Sequence, residues 1–220
     1  MSNRIHPTAI IENNVVLGDG TSVWDNAHIR HDAVLGEQCI VGGKSLIAYE
    51  VRIGNRVKIN SNVYICNGVT IEDGVMISAG TIFTNDRFPR ATTPDLKDLR
   101  SSDPDEHTLE TIVREGATIG AGCLIGCNLE IGRFAMVGMG AVVTRSIPDF
   151  CLAIGSPARV IGAVCRCGEP VHRYQPGSEE LTVEAICQCG LSYTICGQSV
   201  TENNPPGCHK MEHLSVADTL

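Results

Sequence analysis

The sequence predicts a mainly β chain built as a solenoid, and three observations carry that prediction. Every sixth residue from Ile5 to Phe83 is apolar: Ile5, Ile11, Leu17, Val23, Ile29, Leu35, Val41, Ile47, Ile53, Ile59, Ile65, Ile71, Ile77 and Phe83. A companion series two positions earlier stays small or β-branched, as at Val15, Thr21, Ala27, Ala33, Cys39 and Ser45. Aromatic residues are only 4 % of the 220-residue chain, against 23 glycines, which suits a narrow interior with frequent turns. A period of six matches neither an amphipathic helix nor the simple alternation of one strand. Each hexad reads as a short strand plus a turn, with three hexads closing one triangular coil.

In chain order, Gly18, Gly36, Gly42 and Gly54 follow the aliphatic residue where the chain leaves the strand. Asp19, Gly20, Asn55 and Asn67 occupy turn positions that tolerate positive φ. Residues 18 apart should stack at the ordinary strand spacing of about 4.8 Å, so that Ile5, Val23, Val41, Ile59 and Ile77 line one face. His28, Arg30, His31, Arg52 and Tyr64 then point outward, towards solvent, a second subunit or a ligand. Trp24 packs either between subunits or against a ligand base.

The phase breaks after Phe83. Residues 84–112 hold three prolines and many charges without a hexad pattern, and the count resumes at Val113, Ile119, Ile125, Ile131, Val137 and Val143. A recovered register marks 84–112 as a loop pushed out of a continuous solenoid, and a long excursion of this kind is more often functional than idle. Pro148, Gly155 and Pro157 end the repeat. The expected organisation is a β-helix domain over 1–162, a different small unit over 163–196 and a polar tail over 197–220.

A formal net charge of −8 argues against a nucleic-acid surface, so any anionic ligand must be met by a few local cations. The N-terminal stretch lacks a signal-peptide pattern and no apolar run approaches a membrane span. The eleven cysteines are then expected to be reduced in a cytoplasmic protein, some of them bound to metal.

Three segments together carry a family resemblance: the hexads, the excursion opening FTNDRFPRA at 83–91, and the terminal GSPARVIG. Over 5–162 the chain resembles the hexapeptide-repeat acyltransferases. Within them it is similar to the enzymes that acetylate the 3-amino group of a UDP- or dTDP-linked sugar. The resemblance implies a left-handed parallel β-helix, a homotrimer with sites between subunits, acetyl-CoA along the C-terminal coils and a nucleotide sugar from the N-terminal side.

Acetyl transfer to an amine needs a neutral nitrogen beside the thioester, support for the oxyanion and a proton acceptor; positioning alone can provide much of the acceleration. In the similar enzymes an asparagine stands at the loop start, so Asn85 is the candidate to hold the amine, although it could simply open an Asx-turn. Asp86 could orient the amine or accept its proton. Arg87 and Arg90 are candidates for the diphosphate or sugar, with His28 and Trp24 also on the substrate side. His107 is the one histidine of the loop, in a segment that reads as solvated. Gly120, Ala121, Gly138, Gly140 and Ala141 carry no bulky outward group, so a pantetheine arm could lie against their backbone. Arg145 and Arg159 could meet the CoA phosphates.

Cys165 and Cys167, then Cys187 and Cys189, form two Cys-x-Cys-Gly pairs, which suggest a closed four-cysteine zinc site in a ribbon-like unit. Cys196 or Cys208 and His209 could substitute for a ligand. Competing functions are weaker. A hexapeptide-fold carbonic anhydrase needs three histidines from adjacent coils and neighbouring subunits, and the later coils supply none beyond His6, His28 and His31. Transfer to a hydroxyl or an amino acid lacks a histidine base in the right context, and a pure assembly solenoid needs neither the excursion nor the GSPAR end.

Overall fold

The computed structural model describes residues 2–175 and 182–206. Over these the chain is a β-solenoid with no helix. Two- and three-residue strands recur in the six-residue phase from Arg4–Ile5 to Val142–Val143 and gather into three long sheets of ten, seven and six strands, the first of which also takes in three longer strands beyond Val143. Ile5 pairs with Val23, Val23 with Val41, Val41 with Ile59 and Ile59 with Ile77, all parallel, which is the column the hexad count predicts. Each strand amide donates to the next coil, as from His28 to the Ser45 carbonyl at 2.8 Å and from Ile40 to Val57 at 2.9 Å. Once the first coils are passed, both inward series are buried; Ile29, Ile47, Ile59 and Ile77 are fully enclosed, whereas Ile5 on the open first coil stays exposed.

Polar members of the small-residue series have a further task. Thr21 Oγ1 donates to the Gly36 carbonyl at 3.0 Å, Cys39 Sγ to Gly54 at 3.1 Å and Ser45 Oγ to Asn60 at 2.9 Å. Each buried group thereby keeps a partner, without which its burial would be costly. Cys123 repeats the contact on the Gly138 carbonyl at 3.2 Å, so this thiol belongs to the core.

From Asn14 to Gly80 one residue in every six is left-handed, but the positions differ by one from the expectation in two turns. Arg56 and Gly68 carry the positive φ, not Asn55 and Asn67. The two asparagines instead bind across coils: Asn55 Oδ1 accepts from the Glu37 amide at 2.9 Å, and Asn67 Nδ2 donates to the Tyr49 carbonyl at 3.1 Å. The glycines after the aliphatic residues are there for close approach. A Cβ on Gly36 would lie 2.5 Å from Asn55 Oδ1 and 2.7 Å from the Gly54 carbonyl carbon.

Across the interruption Ile77 pairs with Ile119 and Phe83 with Ile125, so the ladder steps over 84–112 and continues. The excursion is not wholly without structure, because it doubles back on itself through the antiparallel bridges Asp86–Thr108 and Thr92–Leu99. Beyond Val143 the strand Cys151–Ile154 still adds in parallel to Met136–Val137, and Arg159–Val164 and Pro170–Arg173 then turn antiparallel on the end of the ten-stranded sheet. A separate antiparallel sheet comprises Thr182–Ile186, Ser192–Cys196 and Ser199–Glu202. The expected tail from 197 therefore begins too early: Ser199–Glu202 pairs with Ser192–Cys196, and Glu202 holds Arg166 through two bonds of 2.8 Å. Cys208 and His209 lie outside the described residues.

Replacing Ile59 with Ala should lower the unfolding free energy by roughly 2–5 kcal/mol, since neighbouring coils cannot collapse into the space. Urea unfolding of the two proteins measures it, with an unchanged midpoint speaking against a close-packed column.

Candidate active site at the interrupted repeat

The neck of the excursion is closed by backbone bonds, from the Leu109 amide to the Asn85 carbonyl at 2.8 Å and from the Arg87 amide to His107 at 3.1 Å. Arg100 then braces it from inside, donating to the Phe88 carbonyl at 3.2 Å and pairing with Asp105 at 3.2 Å. The Asp105 carboxyl, accepting the His107 amide and facing Arg100, is held below the usual carboxylate range. Between this folded excursion and the solenoid wall lies a cavity of about 330 Å³. The wall contributes Arg30, Tyr49, Tyr64 and Asn67, and the excursion contributes Asn85, Asp86, Phe88, Arg90, Arg100 and His107.

The wall residues are ordered by the 18-residue register. His31, Tyr49, Asn67 and Asn85 stand one coil apart in a single column. The His31 and Tyr49 rings stack at 5.3 Å, and Arg30 lies 5.0 Å over the Tyr49 ring. Asn67 Nδ2 binds the Tyr49 carbonyl, and Asn85 Nδ2 binds the Asn67 carbonyl at 3.1 Å. Asn85 is thus fixed by its Nδ2, with Oδ1 as the acceptor that remains for an N–H donor at the cavity. Cys66 lies beneath this wall, and burial pushes its thiol up to about 12, which keeps it protonated and non-nucleophilic at neutral pH.

Of the residues singled out from sequence, Asn85, Asp86 and Arg90 meet in this cavity. His107, in a segment that reads as solvated, also lines it, with its ring edge-on to Phe88 at 5.6 Å. Arg87 lies over the Phe88 ring at 5.4 Å and is not among the lining residues. His28 sits outside as well, bound to Glu12 at 2.6 Å, and Glu12 is held low chiefly by the His31 amide. Trp24 lines a different depression with Ile40 and Lys58, and Arg4 covers its ring at 4.8 Å. Within one chain, then, Trp24 and His28 do not join Asn85.

Towards the C-terminal coils Ala121, Gly140, Arg145 and Arg159 are exposed, and a Cβ on Gly140 would meet nothing within 4 Å. Ala141 corrects the expectation: it is a fully buried member of the small-residue series, so its side chain faces the core and not a ligand. At Gly120 an added Cβ would lie 2.5 Å from the Met139 nitrogen, and at Gly138 2.7 Å from Ile154 Cγ2; both glycines admit the next coil. At the far end Cys165, Cys167, Cys187 and Cys189 bring four Sγ atoms within 4.8 Å of one another, an arrangement that could hold a metal.

Residues 14–48 and 50–85 match the bacterial transferase hexapeptide (six repeats) family. The match lies within the first stretch of the repeat and ends where the excursion opens. A 92-residue stretch is 44% identical to the dTDP-3-amino-3,6-dideoxy-alpha-D-galactopyranose 3-N-acetyltransferase of Aneurinibacillus thermoaerophilus, covering 42% of this chain and 44% of that one. A 50-residue stretch is 48% identical to serine acetyltransferase of Escherichia coli K12, covering 23% and 18%. The chain thus spans less than half the length of these two curated relatives. Among solved structures, WeeI from Acinetobacter baumannii AYE overlays at a TM-score of 0.44 with 24% identity, over 70% of this chain and 56% of that one. AntD, an N-acyltransferase from Bacillus cereus in complex with dTDP and 3-hydroxybutyryl-CoA, overlays at 0.42 with 24% identity, over 74% and 80%.

The residues missed from sequence are Tyr49, Asn67 and Arg100. Counting back 18 from Asn85 reaches the first two, so the signal was present in the register; Arg100 had none. Arg100→Ala should free both the Phe88 carbonyl and Asp105, and limited proteolysis should then cut within 84–112 severalfold faster. An unchanged cleavage rate would show that the neck bonds alone hold the excursion.

Proposed function

We propose that the protein is an N-acetyltransferase that moves an acetyl group from acetyl-CoA to the amino group of a UDP- or dTDP-linked amino sugar, at C3. The observation that carries this reading is Asn85. Its amide is anchored through Nδ2 to the coil beneath, it lines the cavity beside Asp86, and Oδ1 is suited to accept from a substrate amine. The Aneurinibacillus relative, whose name describes transfer to a dTDP-linked 3-amino sugar, supports the substrate class.

In this mechanism Asn85 Oδ1 orients the neutral amine while the amine lone pair attacks the thioester carbonyl. The C–N bond forms, the tetrahedral oxyanion collapses, and the CoA thiolate leaves. The amine proton passes through Asp86 to solvent or to the departing thiolate. Positioning supplies the acceleration, with no histidine base required. Tyr49, Tyr64 and Phe88 offer flat surfaces to a base or sugar ring, while Arg30, Arg90 and Arg100 supply local positive charge for a diphosphate in an otherwise acidic protein. Arg145 and Arg159 serve the CoA phosphates.

The reading extends to a homotrimer. The outward residues of the seven-stranded sheet form a largely apolar stripe of Ile10, His28, Leu46, Tyr64, Ile82, Leu124 and Val142. Ile10, Tyr64, Ile82 and Leu124 are each at least 40% exposed in the single chain. A second copy seated here would bury the stripe beside the cavity, which Leu46 and Tyr64 also line.

With acetyl-CoA, a thiol dye and a panel of UDP- and dTDP-amino sugars, thiol release is expected for a 3-amino sugar; none with any of them would sink the reading. Asn85→Ala should cut kcat/KM on the order of 100-fold while leaving the fold intact. His107→Gln should leave kcat within a few fold, and a loss comparable to that of Asn85→Ala would make His107 the base instead. Leu124→Asp should convert the trimer to monomers in light scattering and abolish turnover; an unaltered mass would move the interface elsewhere.

A further inference from the structure

The C-terminal unit is organised by two copies of one backbone device. In Cys165–Gly168 the Gly168 amide donates to the Cys165 carbonyl at 2.8 Å, and the Cys165 amide donates to Glu169 at 2.8 Å. In Cys187–Gly190 the Gly190 amide donates to Cys187 at 2.9 Å, and the Cys187 amide donates to Leu191 at 2.8 Å. Gly168 and Gly190 share the same left-handed conformation, with φ of 96° and 90°. Each turn offers one buried and one exposed cysteine, and the two turns face each other.

The Sγ atoms of Cys165 and Cys189 lie 3.4 Å apart, those of Cys167 and Cys187 3.5 Å, and all four within 4.8 Å. A tetrathiolate with Zn–S bonds of about 2.3 Å needs sulfurs about 3.8 Å apart, so the four atoms are spaced closely enough to share one ion. Disulfides would need sulfur pairs near 2.05 Å. The surroundings also suit bound thiolates. Tyr193 is fully buried, and its hydroxyl donates to Cys165 Sγ at 3.1 Å while accepting the Arg166 amide at 3.0 Å. A buried O–H directed at a ligand sulfur is the outer contact that orients metal ligands.

We propose that Cys165, Cys167, Cys187 and Cys189 form a closed structural zinc site that locks the C-terminal unit onto the last coils of the solenoid. Binding converts four thiols to thiolates, with the protons released to solvent and no change of oxidation state. The lock works through the residue between the first two ligands. Arg166 lies 4.0 Å over the Phe134 ring and pairs with Glu202 on the last described strand. Phe134 stacks on Phe150 at 5.4 Å, and Phe150 meets Tyr193 at 5.5 Å. One metal therefore fixes Arg166 and Tyr193 together, and through them the last coil, the antiparallel cap and the terminal sheet. A tetrahedral all-sulfur donor set with no open position selects zinc or iron, and assigns a role in folding, not in acetyl transfer.

The test uses the full chain purified without added metal from medium containing both zinc and iron. About one zinc per chain by plasma mass spectrometry is expected, and exchange with cobalt should give the visible spectrum of a tetrahedral tetrathiolate. Cys187→Ser should lose the metal. Because that variant could misfold, Tyr193→Phe provides an independent arm: it should still bind one zinc, with affinity weakened roughly 10–100-fold. Chelation should increase hydrogen exchange in the strands after residue 163 while the coils before Phe83 stay protected. Bound iron instead of zinc, four native thiols open to a thiol dye with no metal, or an intact mass lowered by two disulfides would each overturn the assignment.

Discussion

The structure depends on one constraint: each residue must stack on its counterpart one coil away. Backbone amides of every rung bind the next rung, and the inward aliphatic side chains sit directly on one another, as Val41 does on Ile59. The ladder tolerates no slip, because moving by one residue would turn each inward side chain outward. An added segment can therefore leave the solenoid only if the chain returns in register. The 84–112 excursion does so, and Ile77 meets Ile119 as though nothing intervened.

That constraint also makes the candidate site rigid. Stacking aligns His31, Tyr49, Asn67 and Asn85 into a column in which the Asn67 and Asn85 amides bind carbonyls of the coil beneath. The returning excursion is tied at its neck to the Asn85 carbonyl itself. A single asparagine is thus held from three directions: its side-chain amide, its own carbonyl and the β-rung before it. Such preorganisation is what a reaction relying on positioning requires. At the other end, where the spacing drops from 18 to 16, Cys151–Ile154 makes one last parallel rung and the chain then turns antiparallel. A solenoid end exposes unpaired rungs, and the cap anchored by Arg166 and Tyr193 covers them.

Much of this was legible in the sequence because a six-residue period is a local property of side-chain volume. The core, the coil stacking and the position of the interruption all follow from it. Asn85, Asp86 and Arg90 were accessible because they stand at the point where the count stops. Other features depend on contacts between distant residues and leave no such trace. Arg100 reaches back to Phe88, and His107 comes to the cavity only because the excursion doubles over. Trp24 and His28, outward like Tyr64, could not be assigned to a cavity from outwardness alone. Ser199–Glu202 looked like polar tail because an edge strand of a small sheet buries too little to show a pattern. Ala141 stands two positions before Val143, so the count itself places it in the inward series; only its small side chain suggested an open surface, and it is fully buried.

The central claim is that the solenoid is the scaffold and its interruption is the site. Excising residues 86–109 tests this most directly, because Phe83 then precedes Val113 by one hexad and the ladder closes in register. The shortened chain should fold as a continuous solenoid, with a strand-rich circular dichroism spectrum and cooperative unfolding, yet form no acetylated amino sugar detectable by mass spectrometry. Retained acetylation at the rate of the intact protein would contradict the account and move the chemistry elsewhere on the solenoid.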